Sequence, residues 1–235
     1  MRGGINDSMK LDRIVCLANS YKHDNRCVAG ISLVTKKWVR LTGRTIPRCL
    51  SRSEARYGNG KDVCLLDVFE VEIEAECGSN HHPEDVLIAP TQWRWVRRFD
   101  EPADLDVLKS IVSQEPILLE GYCDRIDTHK FESAAARLSL GLLAPDDLWW
   151  WIREDSGKRR FRASFRLGHD GRIRYDLPVT DPAWLDQLNF MPTGIHPHSI
   201  LLGNRATRTF LTASLSEAFE GFHYKLIAGV INLPA

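Results

Sequence analysis

Cys27-Val28-Ala29-Gly30-Ile31-Ser32-Leu33-Val34-Thr35, then Lys36-Lys37, then Trp38-Val39-Arg40-Leu41-Thr42 is the stretch on which the fold class turns. It reads as strand, tight turn and strand. In the second strand Trp38, Arg40 and Thr42 share one face while Val39 and Leu41 share the other, because successive side chains of a strand point to opposite sides. The pattern is that of a β-meander.

Working outward, residues 11–19 form a mostly apolar strand, joined to the meander by the polar loop 20–26. Downstream, a Gly/Arg/Pro-containing loop over 43–60 leads into a long strand over 63–75. From Phe69 that strand alternates strictly, and Glu70, Glu72 and Glu74 share a face read as the solvent side. After the loop around 78–84, residues 85–90 supply another short strand. Five strands in the first hundred residues suit a small barrel.

The middle differs. Residues 102–114 have the spacing and acidic first turn of a helix, and the Ala/Leu-rich 131–143 reads as a second helix ending near Pro145. A second β region follows, with a strand over 148–153 carrying Trp149, Trp150 and Trp151. A hairpin over 161–167 and 172–178 turns at Gly168-His169-Asp170-Gly171, whose Asp-Gly is a strong turn signal. Thr180-Asp181-Pro182 is a helix start, with Thr180 or Asp181 as cap and Pro182 in the first turn. Strands over 210–215 and 224–233 close the chain, around the turn-rich 216–221. The fold class is mainly β with some helix (α+β), with a boundary between 100 and 145.

Of 235 residues 43 % are hydrophobic, so a core can form and the signature of disorder is absent. Lys+Arg and Asp+Glu both number 31, which excludes a protein that coats nucleic acid by bulk charge alone. The charge is segregated, however. Residues 36–61 hold eight bases against Glu54, a net of +7; residues 100–132 net −6; residues 151–175 net +5. Mutually compensating solvated faces are the bland reading of that pattern. Six cysteines form no CxxC pair and mostly sit in apolar runs, as small core residues do. With no export signal and no apolar run of spanning length, the expectation is a cytoplasmic protein without disulfides or membrane contact.

Catalytic and metal motifs are incomplete. His81 and His82 follow Cys77, and His196 and His198 flank Pro197, but nothing completes a zinc ligand set. HExxH, GxSxG and a Walker loop are all missing. No cofactor, metal or catalytic residue is therefore expected, and an enzyme is the less favoured reading.

Aromatic and basic residues do interleave. Trp38 and Arg40 share a strand face, with Arg44 just beyond; Trp93, Arg94, Trp95, Arg97 and Arg98 crowd one segment; Trp149–Trp151 lead into a run of bases. In the hairpin Arg160, Arg162, Ser164 and Arg166 alternate with Phe161, Ala163, Phe165 and Leu167, so the arginines project from one sheet face. Flat rings stack on bases and cations hold phosphates, the chemistry single-strand binders use. The competing account places the tryptophans in barrel cores.

Several stretches together resemble a known family. They are Ile14-Val15-Cys16-Leu17-Ala18-Asn19-Ser20-Tyr21-Lys22, Arg26-Cys27-Val28-Ala29-Gly30-Ile31, Trp38-Val39-Arg40, His82-Pro83-Glu84-Asp85, Thr180-Asp181-Pro182, the run from Leu211 to Gly221, and Tyr224-Lys225-Leu226-Ile227-Ala228. They are similar, collinearly and over nearly the whole chain, to the bacterial dual OB-containing domain family. The resemblance implies two OB-like barrels in one chain; set on the strands and helices read above, 1–10 is a disordered N-terminus, 11–100 the first barrel, 101–145 a helical connector and 146–235 the second barrel. It also implies a prokaryotic origin and a place in conflict or anti-phage defence. Carried over by position, the polar residues of its motifs are Ser20, Lys22, Arg26, Trp38 and Arg40 in the first half, and Asp181 and Lys225 in the second.

The leading expectation is a module that binds single-stranded nucleic acid or a nucleotide. Bases would stack on Trp38 or Trp93, and Arg40, Arg44, Arg160 and Arg162, with Arg166 beside them, would hold phosphates. Two readings compete: an adaptor that docks a protein partner of a multi-component system through 100–132, and an enzyme acting on a nucleotide or nucleic acid.

Overall fold

A computed structural model describes residues 9–22, 25–44, 49–113, 118–132, 138–167, 173–203 and 207–234. The chain divides into two compact units, Met1–Phe99 and Asp100–Ala235. Among the described residues no helix is long and apolar enough to cross a membrane. Residues 1–8 of the N-terminus expected to be disordered, and the hairpin turn at 168–171, lie outside the described residues.

The first unit contains β1 (Lys10–Lys22), β2 (Asn25–Ser32), β3 (Trp38–Thr42), β4 (Asp67–Glu76), β5 (Asp85–Ile88) and β6 (Arg94–Arg98). β1 serves two neighbours. Its first half, to Val15, pairs antiparallel with β4, and the stretch from Ile14 to Lys22 pairs with β2, with a register shift between Cys16 and Ala18. The pairings run β1-β2-β3-β5-β4 and return to β1, with β3 and β5 parallel. This closed five-stranded circuit is the OB arrangement, and closure removes the sheet edges. Gly30 has a steric reason to be there, since a Cβ would stand 1.8 Å from the Val15 carbonyl oxygen. Only glycine lets β2 come that close to β1. Ile14, Val28, Leu41, Val71 and Phe69 fill the interior. Glu70 corrects an expectation: it is buried, because Arg13 at 2.7 Å and Arg94 from the unforeseen β6 both clamp it.

The second unit begins with α1 (Pro102–Ile111), β7 (Arg125–Asp127) and α2 (Thr128–Glu132), then β8 (Leu140–Leu143), β9 (Asp146–Asp155), β10 (Lys158–Leu167) and β11 (Ile173–Pro178). It continues through α3 (Pro182–Asn189), β12 (Gly194–Pro197), α4 (Ser199–Leu202), β13 (Thr207–Phe219) and β14 (Phe222–Pro234). The segment over 101–145 is thus not helical throughout. The helix expected over 131–143 gives way, at its end, to β8. Leu140 and Leu142 are buried and paired with Ser214 and Thr212 of β13, so sheet contacts override the helix propensity of leucine.

The pairings of the second unit repeat those of the first. β8 pairs with β13, and after Ala144-Pro145 the chain continues as β9, which pairs with β10; together they do what the single bent β1 does. β10 pairs with β11, and a parallel bridge from Val179 to Ile227 joins the end of β11 to β14. β14 pairs with β13, completing the circuit. Trp150, Ile152, Phe165, Leu177, Leu211 and Ile227 make the core, and Trp184 and Leu188 of α3 plug it. The fold is therefore mostly β with two OB-like barrels, as expected.

Candidate nucleic-acid interface

Alternation along β9 hides Leu148, Trp150 and Ile152 and turns Trp149, Trp151 and Arg153 outward. Register then places Ser164 opposite Trp149, Arg162 opposite Trp151 and Arg160 opposite Arg153. Across β10, Asp176 faces Ser164 and Arg174 faces Arg166. On the other edge of β9, β12 sets the exposed Ile195 opposite Trp151. One face of the sheet thus carries a row of rings beside a row of arginines.

Carboxylates hold part of this row in place. Asp147 accepts the Trp149 indole N–H at 2.6 Å and pairs with Arg174 and, at 3.6 Å, with Arg166. Arg162 pairs with Asp176 at 2.9 Å and Asp124 at 3.7 Å. The Arg153 guanidinium lies 4.4 Å from the Trp151 ring centre, a cation–π contact that steadies both. Arg160 is exposed, has no ion-pair partner among the described residues, and stands directly across from Arg153. Like charges opposite each other on neighbouring strands repel, and an anion lying between them removes the repulsion.

The expected residues of the first half are placed differently. Trp93 is buried and stacks on Phe69 with 4.8 Å between ring centres, so it is core and offers no face to a base. Arg40 is buried, paired with Glu84 at 3.1 Å and Asp85 at 3.7 Å. Trp38 is nearly buried and lines a cavity of about 440 Å³ whose walls carry five carboxylates, Asp12, Glu74, Glu76, Glu84 and Asp85, against the two amines of Lys10 and Lys37. That lining repels phosphate. Arg44 is exposed and paired with Glu74. Ser20 is buried opposite Cys27, and Lys22 closes β1 opposite Asn25. Arg26 is buried, with Tyr21 beside it.

In the second half, Asp181 caps α3, accepting from the backbone N–H groups of Ala183 and Trp184 at 3.0 and 3.3 Å. The Lys225 side chain is fully buried and donates to the carbonyls of Leu118 and Gly121, at 2.7 and 2.5 Å. Burial pushes its ammonium down to about 8. The structure therefore gathers Arg160, Arg162 and Arg166 on one face and assigns Asp181 and Lys225 to the interior. Trp149, Trp151, Arg153 and Arg174 join that face. Their signal in the sequence was the period-two alternation through the three tryptophans, which separates Trp150 from its neighbours.

Beneath the β9 strand, the Trp150 indole N–H donates to His198 Nδ1 at 3.1 Å. His198 Nε2 lies 2.7 Å from the Thr209 hydroxyl, which donates to Asn232 Oδ1 at 2.7 Å. Each donor has one acceptor only if His198 is neutral with its proton on Nε2. Burial holds the imidazole down at about 4.

No curated protein sequence matches the chain. Among solved structures, the crystal structure of the Ifi202 HINa domain in complex with 20 bp dsDNA is 8 % identical, with a TM-score of 0.36 and 97 % of each chain covered. The p204 HINb domain is 10 % identical, with a TM-score of 0.33, covering 97 % of this chain and 100 % of that one. The tetrameric p202 HIN2 is 8 % identical, with a TM-score of 0.29, covering 96 % and 94 %. At TM-scores this low no property of those domains passes to this chain. The dual OB-containing domain model, in contrast, matches residues 12–230, across both strand circuits, and the chain belongs to the dual OB-containing domain family.

Proposed function

We propose that the second unit binds single-stranded nucleic acid across the outer face of β9, β10 and β11. The observation that carries this reading is the register that sets Trp149 and Trp151 beside Ser164 and Arg162, with Arg160 and Arg153 unpaired by acid at one end. The outward, half-buried rings of Trp149 and Trp151 suit unstacked bases, each stack contributing about 1–3 kcal/mol, and the neighbouring guanidiniums suit the phosphates between them. A duplex keeps its base faces covered, so a single strand is the expected partner. Service as a sensor or accessory subunit of a bacterial defence system rests on the family resemblance alone.

Fluorescence anisotropy with labelled single-stranded DNA, single-stranded RNA and duplex DNA at two salt concentrations tests the proposal. Single strands should bind more tightly than duplex, with log affinity falling by about 0.7 per phosphate contact per log unit of salt. Reversing Arg160, Arg162 and Arg166 to glutamate should weaken binding roughly 100-fold. Arg160→Glu alone, at a residue with no internal ion pair, should weaken it several-fold without changing the thermal midpoint. Undiminished binding in the triple variant, or a preference for duplex, rules the proposal out.

A further inference from the structure

The first unit has a basic cluster of its own. Tyr21 stands opposite Arg26 in the β1–β2 register, and the Arg26 guanidinium lies 4.3 Å from the centre of its ring. Reciprocal backbone hydrogen bonds between Arg26 and Leu50, at 2.7 and 2.9 Å, pin the chain that follows β3 beside β2. That chain carries Arg52 and Arg56, and an antiparallel bridge from Arg56 to Asp62 brings a carboxylate back toward them. Asp62 is 2.5 Å from Arg56 Nε, 3.4 Å from Arg52 Nη2 and 4.0 Å from Arg26 Nη2. Among the described residues one carboxylate thus serves three guanidiniums, leaving an excess of two positive charges in this cluster. The Arg56 hydrogen bond holds the Asp62 carboxyl below its usual range, so the carboxylate stays charged and the excess stays at two.

Acceptors are short as well as charge. A carboxylate offers about four lone-pair positions, whereas each guanidinium carries five N–H donors. The deficit falls on Arg26, whose Nη1 is buried and has no hydrogen-bond partner among the described residues. Buried donors without acceptors are few in native proteins and call for an explanation. The cluster is also graded in depth: the Arg26 side chain is 10 % exposed and the Arg52 side chain 67 %. A fixed floor and an open rim are what an exchangeable ligand requires. Tyr21, 53 % exposed, adds an aromatic wall.

We infer that Arg26, Arg52 and Arg56 form a phosphate-binding site in the first unit, with Asp62 standing where part of the anion would lie. A phosphate group offers several charged oxygens in the geometry guanidinium forks match, and it supplies both the charge and the acceptors the cluster lacks. Such a group comes on a mononucleotide or in the backbone of a strand.

The test uses the full chain and inorganic phosphate, titrated at constant ionic strength against chloride while the thermal midpoint and heat of binding are followed. Phosphate should bind saturably where chloride does not. Arg52→Ser, at the exposed rim, should weaken phosphate about tenfold, and Asp62→Asn, which removes the built-in competitor, should tighten it about tenfold. A residue cluster with a merely structural role would not give opposite signs. Competition by a nucleoside monophosphate marks a small ligand, and competition by an oligonucleotide alone marks a strand backbone. Strand binding by the second unit is read separately through Arg160→Glu, so failure of one site leaves the other testable. Phosphate that behaves as chloride does, an affinity unmoved by Arg52→Ser, or weaker phosphate binding in Asp62→Asn overturns the inference.

Discussion

Replacing Asp181 with alanine should destabilise the second unit by about 4 kcal/mol. The side chain is 2 % exposed and uses both oxygens. Oδ1 accepts the N–H groups of Ala183 and Trp184, which open α3, and Oδ2 accepts the N–H of Val230 in β14 at 2.9 Å. Alanine therefore orphans donors in two elements at once, where a surface cap would leave only the helix end unsatisfied. The residue before it strengthens the case, because Thr180 N–H donates to the Ile227 carbonyl at 2.8 Å. Residues 179–181 thus fix the parallel junction of β11 with β14 and the start of the helix that plugs the barrel. Asp181→Asn keeps one acceptor oxygen and should lose roughly half as much. Urea unfolding followed by tryptophan fluorescence measures both, since Trp150 and Trp184 lie in that core. If Asp181 were instead a ligand contact, the alanine variant would unfold at the wild-type urea midpoint and only strand binding would fall.

Asp181 shows what the sequence could reveal and where it stopped. The Thr-Asp-Pro start of α3 was legible because capping is local chemistry, but nothing local announces that the second oxygen reaches Val230. The same division holds elsewhere. Trp38–Thr42 forms the strand its alternation predicts, and Arg160, Arg162 and Arg166 do share a face because period two needs no partner to operate. Burial, in contrast, is decided by neighbours. Glu70 alternates like a solvent residue until β6 and β1 cover it with Arg94 and Arg13. Trp93 sits among arginines in sequence, yet its ring packs on Phe69, twenty-four residues earlier in the chain. Arg40 reads as an exposed cation until the parallel β5 brings Glu84 and Asp85 to it. The leucines of β8 carry helix propensity, and only the edge of β13 makes them a strand. Cross-strand partners distant in sequence set each of these outcomes, whereas turns, caps and alternation are written in a few adjacent residues.

Acid should loosen the second unit through His198. The imidazole sits at about 4 in the fold against an ordinary 6.5, burial being the larger cause and hydrogen bonding to Asn232 a partial offset. The unfolded chain therefore binds one more proton than the folded chain between those values, and stability falls as pH drops through them. A shift of that size corresponds to about 3 kcal/mol, fully present above pH 6.5 and gone near pH 4. Geometry gives the same sign independently. Nδ1 accepts the Trp150 indole N–H, so a proton placed on Nδ1 would set two donors against each other in the core. Protonation would thus free the Trp150 indole from its acceptor, within the same strand that presents Trp149 and Trp151. Strand binding should fall with stability over the same interval. His198→Gln offers no group that titrates there, so its urea midpoint should be flatter from pH 6.5 to 4 whatever its absolute value. An acid limb equally steep in wild type and His198→Gln over that interval would rule out His198 as its source.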